Sequence, residues 1–280
     1  MRVMLASGPD GLSRTLVEAG PAGPVEEVRG TLLSVLEGFR NGLPEGASIG
    51  SAASASLLRP IDPPEVWCSG VTYERSRDAR MDESTVADVY SLVFDAERPE
   101  LFLKDAACRR TVGPGEPIGI RSDSGWNVPE PEIGLVLGER GAILGYTIGN
   151  DVSSREIEGA NPLYLAQAKV YAGSCSIGPA VFVPDSDEVP VFEITLRVRD
   201  TEGTVVYEDA TSTSRMTRSF TELAGWLVRD NPVPAGSVLL TGTGLVPADE
   251  FTLLEGQIVE IAVPQIGTLS NPVVSATSLI

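Results

Sequence analysis

Glu130-Pro131-Glu132-Ile133-Gly134-Leu135-Val136-Leu137-Gly138-Glu139-Arg140-Gly141-Ala142-Ile143-Leu144-Gly145-Tyr146-Thr147-Ile148-Gly149-Asn150-Asp151 is the stretch on which the reading of the fold turns. Two apolar runs, residues 133–137 and 142–148, flank Gly138-Glu139-Arg140-Gly141 and predict two strands joined by a turn. Pro131 holds the backbone extended and removes a ladder donor, which suits a strand start or edge. Residues i and i+2 of an extended segment share a face, so Glu130 and Glu132 can point at one centre. Two carboxylates that close repel, and a divalent cation is the usual way to keep both ionised. The alternative is a solvated strand face. Asp151 follows the second strand, and if the strands lie side by side its carboxylate reaches the same centre. Three such oxygens leave about three positions of an octahedral Mg²⁺ for water and substrate. The alternative for Asp151 is an N-cap on a short helix through residues 152–158. Lys169, in Leu165-Ala166-Gln167-Ala168-Lys169-Val170-Tyr171, supplies a cation near these acids or else lies on the surface.

Outward from this stretch most signals are strand-like. Residues 192–198 alternate, with Phe192, Ile194, Leu196 and Val198 on one face, and residues 204–207 are the expected partner across Asp200-Thr201-Glu202-Gly203. Ser219 followed by Glu222 is a capping box for a helix with Phe220, Leu223, Trp226 and Leu227 on its apolar face. Two late strands, residues 237–241 and 257–263, are expected to close the chain. Toward the N-terminus, Val25, Val28, Leu32, Leu36 and Phe39 recur at three- and four-residue steps, predicting one helix over residues 25–39. The Gly-, Ala- and Ser-rich residues 42–56 read as a linker ended by Arg59-Pro60-Ile61-Asp62-Pro63-Pro64. This places a boundary near residue 60, with a small N-terminal α/β region over 1–60 and a larger domain over 61–280. Helices do not alternate regularly with strands, so a mixed, strand-rich α+β fold is expected and a doubly wound parallel fold is disfavoured.

Composition narrows the chemistry. The 280 residues carry 21 Lys and Arg against 39 Asp and Glu, a net charge of −18, which repels phosphate backbones and anionic membranes. No nucleic-acid or membrane partner is expected, no apolar run is long enough to span a bilayer, and the opening residues are too short for a signal peptide's apolar region. There is no histidine, which excludes Ser-His and Cys-His nucleophiles and the common His-containing metal sites. Cys68, Cys108 and Cys175 are far apart and suggest a reducing cytoplasm. Carboxylates, Lys, Arg, Tyr or hydroxyls must carry any catalysis, and acidic oxygen ligands point to a hard metal ion.

Glu130-x-Glu132, Gly145-Tyr146-Thr147 running into Asn150-Asp151-Val152-Ser153-Ser154-Arg155, and Lys169 form an ordered set of motifs. Leu239-Leu240-Thr241-Gly242-Thr243-Gly244 and Gly256-Gln257-Ile258-Val259 extend it. The set resembles the fumarylacetoacetate hydrolase family over residues 60 to 275. The resemblance implies a β-rich mixed-sheet roll, a dimer or a dimer of dimers, and a metal held by Glu130, Glu132 and Asp151. It places Lys169 beside the substrate and Thr243 at the substrate's carboxylate.

Hydrolytic members carry Tyr-x-x-His-x-x-Glu on a lid, whose His–Glu dyad activates water. The matching residues here are Tyr73, Ser76 and Ala79, and neither Ser nor Ala serves as a general base near neutral pH. Gly70-Val71-Thr72-Tyr73-Glu74-Arg75-Ser76, Ala96-Glu97-Arg98-Pro99-Glu100-Leu101-Phe102 and Asn161-Pro162-Leu163-Tyr164-Leu165 instead resemble the 2-keto-3-deoxypentonate (2-keto-3-deoxy-D-arabinonate) dehydratases of sugar-acid breakdown. Ala160 departs from that subgroup, where Glu is expected. The implied reaction is Mg²⁺-dependent (or Mn²⁺-dependent) dehydration of a 2-keto-3-deoxy sugar acid to 2,5-dioxopentanoate through a metal-stabilised enolate. Lys169 is expected to act by electrostatic positioning, Arg75 and Arg155 are candidates to contact substrate, and Glu158 and Glu74 are candidate bases for the C3 proton. The competing readings are another enzyme of this scaffold acting on a 2-oxo acid, namely an acylpyruvate hydrolase, a decarboxylase or an isomerase, and a non-catalytic binding protein.

Overall fold

The computed structural model describes residues 1–8, 10–20, 23–39, 46–50, 56–83 and 88–280. The chain begins with β1 (Arg2–Ser7), β2 (Ser13–Glu18) and β3 (Val25–Val28), then α1 (Leu32–Gly38), β4 (Gly46–Gly50) and β5 (Ser56–Leu57). β6 (Glu65–Cys68) leads into α2 (Glu74–Glu83) and α3 (Asp88–Asp95). Next come β7 (Phe102–Ala106), β8 (Thr111–Val112), β9 (Ile118–Ile120) and β10 (Asn127–Val128). The hairpin β11 (Pro131–Leu137) and β12 (Ile143–Asp151) is followed by β13 (Ser153–Ser154), α4 (Arg155–Ala160), α5 (Leu165–Lys169) and β14 (Cys175–Phe182). β15 (Glu193–Arg199), β16 (Val205–Ser212), α6 (Phe220–Leu227), β17 (Val238–Leu240), β18 (Ile258–Val263) and β19 (Gly267–Ser275) follow.

Among the described residues the strands form a large sheet in the order β4-β3-β2-β1-β14-β12-β11-β17-β6-β7, with β5 beside β1 and β8 beside β14. β11 and β12 pair antiparallel, as the apolar runs and the turn between them predict. A second sheet runs β16-β15-β18-β19-β9, and β10 pairs with β13. The result is a mixed-sheet, strand-rich α+β fold.

The two faces of the large sheet explain its sequences. Ile133, Leu135 and Leu137 of β11 pack toward the second sheet, against Phe192, Ile194, Leu196, Val259 and Ile261. Val136, Val238 and Leu240 pack on the other face with Leu32, Val35 and Leu36 of α1. β11 is therefore buried along its whole length, and its near-continuous apolar run is what a strand covered on both faces requires. α6 starts at the expected cap, where the Ser219 hydroxyl accepts from the Glu222 amide at 3.2 Å.

Four expectations need correction. Residues 25–39 are not one helix: β3 pairs with β2 and β4, and helix begins only at Leu32, capped by Thr31. Val25 and Val28 are three apart because they face opposite sides of a sheet covered on both, one in each core cluster. The expected linker contains β4, and Ser56 belongs to β5, while residues 42–45 and 51–55 lie outside the described residues. A third late strand, β19, pairs with β18 and β9. Asp151 ends β12 instead of capping a helix; Ser154 caps α4 by accepting from the Ile157 amide at 3.3 Å.

Phe192 joins the two sheets. It is fully buried, with ring centroids 5.2 Å from Tyr146, 6.1 Å from Phe182 and 6.4 Å from Phe220. Phe192→Ala should lower the unfolding free energy by about 3–5 kcal/mol in urea titration; a loss under about 1 kcal/mol would mean that the contact between the sheets is not where stability resides.

Candidate metal centre and active site

The register of β11 against β12 sets Pro131 opposite Asn150 and Glu132 opposite Gly149. The Glu130 amide donates to Asn150 Oδ1 at 3.0 Å, and the Asp151 amide donates to the Glu130 carbonyl at 3.0 Å. These bonds place the expected acids together. One carboxylate oxygen from each of Glu130, Glu132 and Asp151 lies within 4.8 Å of the others, and all three residues are buried.

The surrounding charges are distributed unequally. Lys169 Nζ donates to Glu130 Oε2 at 2.7 Å and to Ser153 Oγ at 2.6 Å, and lies 3.3 Å from Asp151 Oδ2. Arg155 Nη2 lies 3.0 Å from Glu130 Oε1, and Lys104 Nζ pairs with Asp151 Oδ1 while donating to the Val152 carbonyl at 3.0 Å. Glu158 is buried 3.9 Å from both Arg155 and Lys169. Glu132 has no ion-pair partner among the described residues; its carboxylate accepts from the Gly242 amide at 2.6 Å. Burial, reinforced by Asp151 and Glu130, pushes the Glu132 carboxyl well above the ordinary carboxylate range. The same field reaches further: burial and then the Asp151 and Glu132 charges hold the Cys68 thiol up, and burial with Glu132 does so for Tyr73.

Gly242 is positioned by β17. The Thr241 amide and hydroxyl both donate to the Ile133 carbonyl, at 3.0 and 2.8 Å. Gly242 has φ +91°, and a Cβ there would stand 2.1 Å from Thr72 Oγ1, so only glycine lets this amide reach Glu132.

The acids open into a narrow cavity lined also by Ser69, Gly70 and Val71 after β6, Ser76 of α2, and Glu100 and Phe102 at the start of β7. Glu158, Lys169, Gly242 and Thr243 complete it. Lys169 and Thr243 are therefore both cavity-lining residues, and Lys169 is buried and not on the surface. Arg155 is buried behind Glu130, supporting the acids without lining the cavity. Arg75 is not brought in: Nη2 donates to the Val246 carbonyl at 3.0 Å and Nη1 lies 3.2 Å from Asp209 Oδ2, with the side chain 54% exposed. Glu74 and Ala160 are exposed at the ends of α2 and α4 and do not line the cavity.

Sequence reasoning missed Lys104 and Glu100. Lys104 sits in Phe102-Leu103-Lys104-Asp105-Ala106, which gives no local sign that its ammonium is wholly buried; a buried cation shows only when its carboxylate partner is brought to it across the sheet. Glu100 was visible only within a motif of the resemblance, with no role attached.

A buried carboxylate triad flanked by buried cations, at the end of the β11–β12 hairpin of a mixed-sheet fold, defines a divalent-metal enzyme site. The fumarylacetoacetate (FAA) hydrolase C-terminal family profile matches residues 65–274, and the chain belongs to the fumarylacetoacetate hydrolase family. It is 54% identical over 215 residues to a probable 2-keto-3-deoxyxylonate dehydratase of Haloferax volcanii, covering 76% of this chain and 73% of that protein. It is 48% identical over 223 residues to the 2-dehydro-3-deoxy-D-arabinonate dehydratase of Saccharolobus solfataricus, covering 78% and 74%. A solved 2-keto-3-deoxy-D-arabinonate dehydratase complexed with magnesium and 2,5-dioxopentanoate superposes with TM-score 0.87 at 35% identity, over 98% of this chain and 99% of that one.

The donor set fits a divalent ion of the Mg²⁺ type: three acid oxygens, no nitrogen or sulfur, and one carboxylate, Glu132, lacking a cation. Without an ion, the folded chain holds a proton on Glu132 to a higher pH than the unfolded chain does. Folded protein then binds more protons above the ordinary carboxylate pKa, so stability falls as pH rises through that window. Melting temperature in chelator should therefore drop from about pH 5 to about pH 8, and the rise produced by millimolar Mg²⁺ should be larger at the higher pH. A Mg²⁺ increment that is the same at both would contradict this account of Glu132.

Proposed function

We propose that this chain is a divalent-metal-dependent hydro-lyase that removes water from a 2-keto-3-deoxy sugar acid of the pentonate class and yields 2,5-dioxopentanoate. The carrying observation is the buried Glu130, Glu132 and Asp151 cluster in a cavity lined by Ser76, the residue that the family resemblance aligns with the hydrolases' histidine. The relatives named as dehydratases, and the solved one with magnesium and 2,5-dioxopentanoate, support the same reaction.

Glu130, Glu132 and Asp151 hold the ion, Mg²⁺ or Mn²⁺, with Arg155 and Lys104 fixing the outer pair and the Gly242 amide fixing Glu132. Bound there, the ion supplies Lewis-acid stabilisation of the enolate formed when a C3 proton leaves a 2-oxo acid. Lys169 presents its ammonium to the substrate's oxyanion beside Glu130, and Thr243 lines the carboxylate end. Glu100 and Glu158 are the lining carboxylates outside the triad, so they are the groups available to take the C3 proton and return one to the departing C4 hydroxyl. The free volume is about 20 Å³, enough for an ion or one water and not for a five-carbon acid, so a wall must move to admit substrate.

Division of labour between residues 1–60 and a catalytic unit over 61–280 is supported by the family match beginning at residue 65 and by site residues that all follow residue 61. A homodimer or homotetramer is our reading from the family resemblance. No described helix is long and apolar enough to cross a membrane. A cytoplasmic setting is our reading from the three cysteines, Cys68, Cys108 and Cys175, which are free.

Purified protein should convert 2-keto-3-deoxy-D-arabinonate to 2,5-dioxopentanoate only with Mg²⁺ or Mn²⁺ and leave acetylpyruvate and oxaloacetate unchanged. Pyruvate from the latter two, with the sugar acid untouched, would replace this reading with a hydrolase or decarboxylase. Glu132→Gln should abolish both turnover and the Mg²⁺-dependent rise in melting temperature. Glu100→Gln and Glu158→Gln should each lower kcat by about a hundredfold or more while keeping that rise; full kcat in both would remove them from proton transfer.

A further inference from the structure

Every polar group that enters a closed cavity needs a partner, and pairing the pentonate's groups with the cavity's leaves one of each. On the substrate, the carboxylate and 2-oxo group go to the acid-held ion and the cations, and the C4 hydroxyl departs. The C5 hydroxyl is what remains, an uncharged donor and acceptor at the far end of the chain. On the protein, three neutral hydroxyls line the cavity. Ser69 Oγ donates to the Glu100 carbonyl at 3.0 Å, and Thr243 Oγ1 donates to the Leu245 carbonyl at 3.3 Å while accepting from its amide at 3.1 Å. Ser76 is only 6% exposed and its hydroxyl has no hydrogen-bond partner among the described residues.

We propose that Ser76 is a specificity-determining residue whose hydroxyl binds the terminal C5 hydroxyl of the sugar acid. Its place in the fold suits this role. Ser76 lies in the first turn of α2, and the neighbouring Arg75 pins that turn to the Val246 carbonyl and to Asp209 of β16. The hydroxyl therefore meets the substrate from a wall separate from the hairpin that carries the acids. A serine hydroxyl is too weak an acid to protonate a leaving group near neutral pH, so its contribution is recognition of the tail. A side chain as large as histidine at this position would occupy the space that the tail needs.

The inference rests on the dehydratase reading, and the test separates the two. The probe is 4-hydroxy-2-oxopentanoate, which lacks the C5 hydroxyl and loses water across the same C3–C4 bond to give 2-oxopent-3-enoate. Wild-type protein and Ser76→Ala are each assayed with Mg²⁺ on the pentonate and on this probe, with melting temperatures measured alongside. Ser76→Ala should lower kcat/KM for the pentonate about tenfold, leave the probe's kcat/KM unchanged, and keep the Mg²⁺-dependent melting shift; Ser76→Thr should recover part of the loss. Equal losses on both substrates would place Ser76 at C4 or in a purely structural role and overturn the inference while the dehydratase reading stands. An unchanged preference for the pentonate would also overturn it. No turnover of the pentonate by wild-type protein would overturn the dehydratase reading and the inference with it.

Discussion

Four acidic side chains are buried together at the ends of β11 and β12 and in α4, and three buried cations stand among them. Each such charge loses several kcal/mol of hydration, which is recovered only through close pairing. Glu130 is held between Lys169 and Arg155, and Asp151 between Lys104 and Lys169. Glu132 is the carboxylate left with an amide alone. That imbalance turns a structural cluster into a cation site, and the elements around it serve to maintain it. β17 presents Gly242, α5 presents Lys169, and edge strand β7 brings in Lys104.

The acids sit on a fully buried hairpin, and α2 contributes to the wall that faces them. β11 is buried on both sides, and its hydrogen bonds to β12 and β17 fix the carboxylates to within a small volume before anything binds. α2 carries Ser76 on that wall, and Arg75 ties its first turn to the Val246 carbonyl and to Asp209.

How much was legible in the sequence follows from how local each signal is. The hairpin, its turn and the same-face placement of Glu130 and Glu132 follow from the period of two and from turn chemistry within twenty-two residues. The α6 cap was equally local, a Ser three residues before a Glu. The N-terminal strands were not legible, since burial on both faces of β3 spaces Val25 and Val28 as a helix would. Lys104 and the outward turn of Arg75 were hidden because each depends on a partner far along the chain, Asp151 in one case and Asp209 in the other. Glu100 enters the cavity through the fold of the loop before β7, which no short pattern encodes.

The central claim is that Glu130, Glu132 and Asp151 together bind one divalent ion. Its most direct test is an anomalous difference map from crystals grown with Mn²⁺. The account predicts a single strong peak bounded by one oxygen from each of the three carboxylates, with Lys104 still paired to Asp151. A peak elsewhere, or none beside Glu132 at saturating Mn²⁺, would contradict it.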